Sequence, residues 1–228
     1  MKYINPTPSI RGRLNEQALS EVTHYVAKLF TKILSTNDQK DICEDLFNSI
    51  IPENVFKGIQ DNVNSEVTKA ALYKLLYKLF DPYRDWLVPA LVDQELPKQI
   101  IKDSFEGSHR VKVASLRIMK KVLEYGDLEF LSEFIQPSLL CNIIDSIDPG
   151  EDDTTTECLD CLINIMKTVI VNHWKHVAQF FNNVDITNLI DDCIESEYNA
   201  VKEKAFKLKG EIAAAFYSMS IEESALEE

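Results

Sequence analysis

The chain holds 228 residues, 45% apolar and 27% charged, a balance that excludes wholesale disorder and collagen-like sequence. Six glycines and eight prolines are too few for many short strands joined by tight turns. Its 24 basic against 37 acidic side chains leave a net charge of −13, which argues against nonspecific nucleic-acid coating and against docking on anionic lipid.

In chain order, residues 1–13 carry Pro6 and Pro8 and read as a flexible N-terminal segment, without the apolar core of a signal peptide. A long helix is predicted from about Leu14 to Leu34, with Leu19, Val22, Val26, Leu29, Phe30 and Ile33 on one face. The STND that follows offers capping side chains for a helix through Ile42, Leu46 and Phe47. Pro52 suits the first turn of a short helix. Asn64 or Ser65 can cap a long helix carrying Val67, Ala71, Leu75 and Leu79. Asp81-Pro82 and Pro97 open further helices, and Ser108, Asp127 and Pro137 mark later starts. No alternating run reads as a strand, so the expected class is all-α.

No window approaches the roughly 18 uninterrupted apolar residues of a membrane span. A cytosolic or nuclear location is expected, with no membrane partner. The five cysteines are an odd number in a chain read as unexported, so a disulfide framework is not expected. Cys158 and Cys161 form a C-x-x-C inside an apolar helical run and read as buried core thiols.

Four segments line up, beginning at Ile51, Leu96, Gln136 and Val184, with starts 45, 40 and 48 residues apart. Each has a start signal (Pro52, Pro97, Pro137, Asp185), a short helix, a polar turn and a long helix. Second short amphipathic stretches lie between them: DPYRDWLVPALVDQ, GDLEFLSEFI and NHWKHVAQFF. This short, short, long rhythm, with Ala70 and Ala114 aligned in the long helices, resembles the armadillo family and more loosely the HEAT family.

The resemblance implies a right-handed α-α superhelix, an armadillo-type solenoid of about four repeats plus capping helices. It would occupy one domain over 14–218, followed by an acidic C-terminal tail over 219–228. One unit cannot bury its apolar face alone, so neighbours stack into an elongated core and leave a long concave surface. Proteins similar to this family usually bind other proteins. The expectation is a non-catalytic scaffold or adaptor with no cofactor.

Charge is divided by helix type. The long helices Ser65–Phe80, Ser108–Tyr125, Glu157–Val171 and Ala200–Ile212 carry +2, +4, −1 and +2, leaving −20 on the rest of the chain. Superposed by the repeat offset, they give two columns: Tyr73, Arg117, Ile163, Lys207 and Tyr77, Lys121, Lys167, Glu211. Positions four apart share a helix face. Tyr and Arg supply interface anchors by apolar area and forked hydrogen bonding. Tyr73, Tyr77, Arg110, Arg117, Lys121, Lys167 and Lys207 are therefore the candidate partner-binding residues. An extended acidic or phosphorylated segment of a protein partner suits them. The plainer alternative is that these cations only solvate the long helices.

Other chemistry finds less support. No phosphate-binding glycine loop, zinc-protease or nucleophile-elbow motif occurs. His173 and His176 stand at helical spacing without evident further ligands. The acid-rich DSIDPGEDD lacks the calcium-loop pattern and reads as a solvated turn. Asp152, Asp153 and Glu157, or Asp191, Asp192 and Glu195, superficially imitate the magnesium clusters of all-α diphosphate enzymes. RNA binding by a helical repeat is a further alternative, kept open only by the Lys and Arg faces. The nuclear-import receptors similar to armadillo proteins present repeated Trp and Asn on third helices, and no Trp falls on a long third helix in this reading, with Trp86 and Trp174 on short helices.

Overall fold

In the computed structural model the described residues are 10–35, 51–61, 64–172, 177, 180–181 and 186–226. Among them the regular structure is helical, with ten helices, no strand, and no helix long and apolar enough to cross a membrane. The expected helix through Ile42, Leu46 and Phe47, the start signal Asp185 and the pair His173 and His176 lie outside the described residues. The chain divides into two compact units, Met1–Gln99 and Ile100–Glu228.

In the first unit α1 (Ile10–Leu34) and α2 (Ile51–Gln60) each lie against α3 (Glu66–Asp93). Ser65 caps α3, its hydroxyl accepting from the Thr68 amide at 3.2 Å. The new helix expected to open at Asp81-Pro82 is marked by a kink at Tyr83, where two helical stretches meet. The helix runs on through Pro82, with only Tyr83 leaving helical geometry, and reaches Asp93. Proline removes one amide donor and crowds the preceding turn, which bends a helix that flanking apolar burial then holds together.

The predicted apolar face of α1 is corrected by its seating. Leu19, Val22, Val26 and Leu29 are 63, 60, 43 and 57% exposed, whereas Ser20 and Ala27, seven residues apart, are buried. These small residues let the α1 backbone come close to α3. The Ser20 hydroxyl accepts from the Ser65 amide at 3.0 Å, and the Thr68 hydroxyl donates to the Ser20 carbonyl at 3.1 Å. A polar knot thus decides the helix rotation, because buried hydroxyls left unpaired would be costly. Gly58 plays the corresponding role in α2, where a Cβ would stand 2.8 Å from Leu72 Cδ1.

The chain then enters α4 (Leu96–Glu106), carrying Pro97 in its first turn. The second unit continues with α5 (His109–Tyr125), α6 (Leu128–Phe134), α7 (Pro137–Asp145), α8 (Asp153–Asn172), α9 (Ile186–Glu195) and α10 (Asn199–Leu226). Ser108 occupies the N-cap of α5, Asp127 caps α6 by accepting from the Phe130 amide at 2.8 Å, and Pro137 begins α7.

Helix α8 is central: α5 lies against one side of it, α10 against another, and α7 also touches it. Its sequence shows why. Cys158, Leu159, Cys161, Leu162, Ile163, Ile165, Met166 and Val169 leave it apolar nearly all round, and each is at most 2% exposed. Helix α9 in turn lies against α10, which runs on to Leu226.

Candidate functional site

The residues singled out from the sequence do not share one environment. Tyr73 and Tyr77 belong to the first unit, the other five to the second. Tyr73 is 0% exposed and is a core residue of α3, correcting its reading as a partner anchor; Tyr77 is half-buried. Lys121 is also buried, with Nζ 3.6 Å from Glu124 and 5.2 Å from the centre of the Tyr125 ring. It is occupied within its own helix and is no surface cation. Arg110, Lys167 and Lys207 are exposed, and no ion pair joins any of them to another described residue.

Arg117 was read as an anchor for a partner, and it has an anchor of its own. Its Nε donates to Glu157 Oε1 at 2.7 Å. Lys120 Nζ reaches Glu157 Oε2 at 2.9 Å and Asp160 Oδ2 at 3.1 Å. The other Asp160 oxygen meets Lys204 Nζ at 2.7 Å. Five charged groups thus run across α5, α8 and α10, three cations around two carboxylates. Glu157 is buried and both its oxygens are matched, which is what a desolvated carboxylate requires.

Burial works against the Lys120 charge, but the hydrogen bond and field of Glu157, reinforced by Asp160, outweigh it and raise its pKa. Lys120 therefore stays charged throughout neutral pH.

Four members of this buckle, Glu157, Asp160, Lys120 and Lys204, were not among the candidate partner-binding residues. A signal was present. Glu157 and Asp160 stand three apart, hence on one helix face, and α8 is flanked in repeat order by two cationic helices. The acids could have been read as the counterpart of their neighbours' bases.

The acid-rich turn faces solvent as expected, with Asp145, Asp148, Gly150 and Asp153 exposed, and it is also tied down by hydrogen bonds. The Thr155 hydroxyl donates to the Asp148 carbonyl at 2.7 Å and accepts from the Asp148 amide at 3.0 Å. Glu151 accepts from the Thr154 amide at 3.3 Å, and Asp152 accepts from the Thr156 hydroxyl at 2.9 Å. Acids at this end of α8 also meet the positive end of its dipole. Ser196 reaches back to the Pro149 carbonyl at 2.6 Å.

The two acid groups weighed as magnesium sites are dispersed among these tasks, with Glu157 in the buckle and Asp191 on Lys209 at 2.7 Å. Among the described residues no group of three or more His, Cys, Asp or Glu side chains could hold a metal ion.

Cys158, Cys161 and Cys193 are buried and Cys141 is exposed, while Cys43 lies outside the described residues. The buried reading of the C-x-x-C holds. Desolvation, aided by the Glu151 and Glu157 charges, lifts the Cys158 thiol from 9.0 to about 12. Desolvation likewise lifts Cys161 well above its ordinary value.

Because the folded state keeps these protons where the unfolded state releases them, stability linked to the thiols is complete below pH 9 and falls as pH rises toward 12. The slope approaches about 1.4 kcal/mol per pH unit for each thiol. Urea melts between pH 8.5 and 10.5 are expected to show a smaller loss of stability in Cys158→Ala than in wild type. Equal slopes would contradict the assignment.

These features define an all-helical protein whose second unit joins three long helices through a part-buried ionic buckle. No family model, curated protein or solved structure matches the chain.

Proposed function

We propose that the chain is an armadillo-like α-solenoid acting as a non-catalytic scaffold or adaptor for an extended acidic or phosphorylated segment of a partner protein. The observation that carries this reading is the serial arrangement of the second unit. Helices α5, α8 and α10 begin 44 and 46 residues apart, and α8 touches both of the others. Each is preceded by a shorter helix, as stacked repeats require. Serial stacking exposes a run of long helices, which is a surface suited to an extended ligand.

With Arg117 and Lys121 committed to internal partners, the cations open to a ligand are Arg110, Lys167 and Lys207. The test uses a panel of extended acidic peptides, with and without phosphoserine, in fluorescence anisotropy. Micromolar binding of at least one peptide is expected, weakening at least tenfold in Arg110→Glu/Lys167→Glu/Lys207→Glu and falling with salt. Peptide binding that is absent, or untouched by the triple reversal, would overturn the reading. Tighter capture of a single-stranded RNA oligonucleotide than of every peptide would do the same.

A further inference from the structure

We propose that the outward face of α10 receives a second copy of this chain, the two helices lying antiparallel about a two-fold axis between Gly210 and Ala213. This goes beyond scaffold function and does not depend on it. The helix buries Val201, Ala205, Leu208 and Ala215, each at most 1% exposed, toward its own unit. At 100° per residue the opposite stripe is Phe206, Gly210, Ala213 and Tyr217. Phe206 and Tyr217 are 60 and 69% exposed, Ala213 is exposed, and a Cβ built on Gly210 meets nothing within 4 Å. Two large rings therefore bracket a flat stretch about 16 Å long on which another helix can come close.

The pattern is its own complement. Turned end for end about its midpoint, the stripe sets Phe206 against Tyr217 and Gly210 against Ala213. A ring then meets a ring, and a small residue meets a small residue, at both ends alike. An isologous pair needs this self-matching.

Charge selects the antiparallel sense. From Asn199 to Gly210 the helix carries Lys202, Lys204, Lys207 and Lys209 against Glu203, whereas the chain beyond Tyr217 carries Glu222, Glu223, Glu227 and Glu228 with no basic residue. Lys204 and Lys209 are held by Asp160 and Asp191. No ion pair joins Lys202 or Lys207 to another described residue. Antiparallel pairing brings the Lys202 turn beside the partner's Glu222 turn, whereas parallel pairing would set acidic end on acidic end.

A single helix pair falls at the low end of interface sizes, below about 1,200 Å², so the association is weak and concentration-dependent. Sedimentation velocity of the full chain from about 1 to 200 µM tests it over the affinity range such an interface supports. The expected result is a shift from the 26.1 kDa monomer toward twice that mass. Ala213→Arg and Phe206→Glu should each weaken the dimer at least tenfold. Both positions are exposed, so the helical circular dichroism and melting temperature should not change. A wild type that stays monomeric throughout, or a dimer that both variants leave intact, would overturn the proposal.

Discussion

Glu157→Ala is expected to be the most damaging charge substitution in the second unit, costing about 3 kcal/mol. Breaking a buried ion pair from one side costs roughly 3–5 kcal/mol, because the partner's charge is left without compensation. Here the stranded groups are Arg117 and Lys120, whose side chains are 39 and 21% exposed. Water recovers part of their solvation, which places the value at the lower end. For a chain of this size the melting temperature should fall by about 6–12 °C.

Glu157→Gln keeps the volume and should recover only a minority of the loss, since charge is what Arg117 and Lys120 require. Replacing all three together, as Glu157→Leu with Arg117→Met and Lys120→Met, should cost much less than Glu157→Ala alone. Urea melts of the four proteins check this order. A Glu157→Ala variant within about 0.5 kcal/mol of wild type, the range of an ordinary surface change, would show that the buckle contributes nothing.

Tyr73→Ala is expected to lower stability by about 4 kcal/mol, in line with truncation of other fully buried rings. The cavity it leaves lies inside α3's buried face, among side chains that close-packing prevents from collapsing fully. Lys207→Glu, from the same alignment column, should stay within about 0.5 kcal/mol because its side chain stands in water. Thermal melts of the two variants measure the contrast directly. Similar melting temperatures would return Tyr73 to the surface role suggested by its place in the repeat.

That column shows how far a repeat alignment carries. Tyr73, Arg117, Ile163 and Lys207 are equivalent in register, yet Tyr73 is 0% exposed, Ile163 2%, Arg117 paired and half-buried, and Lys207 open. Register is a property of one helix; exposure depends on what lies against it. Helix α8 is covered on more than one side, so its positions are buried where those of α10 are free.

Signals that act within a few residues were readable in the sequence. Ser65 and Asp127 bond to amides three residues on, so their capping chemistry is visible in any window that contains them. The apolar run of α8 likewise announces a helix surrounded by neighbours. The rotation of α1 was not readable. Its apolar stripe follows helical spacing, but Ser20 seats it through hydrogen bonds to Ser65 and Thr68, 45 and 48 residues away along the chain. The ionic buckle spans 37 to 44 residues and becomes visible only once the order of the long helices is known.

Hydrogen–deuterium exchange resolved by peptide, on wild type and Glu157→Gln, tests most directly whether the long helices work as one stacked array. If Glu157 and Asp160 couple them, protection should fall together in α5, α8 and α10 when only α8 is altered. A loss confined to α8, with α5 and α10 exchanging as in wild type, would contradict that account.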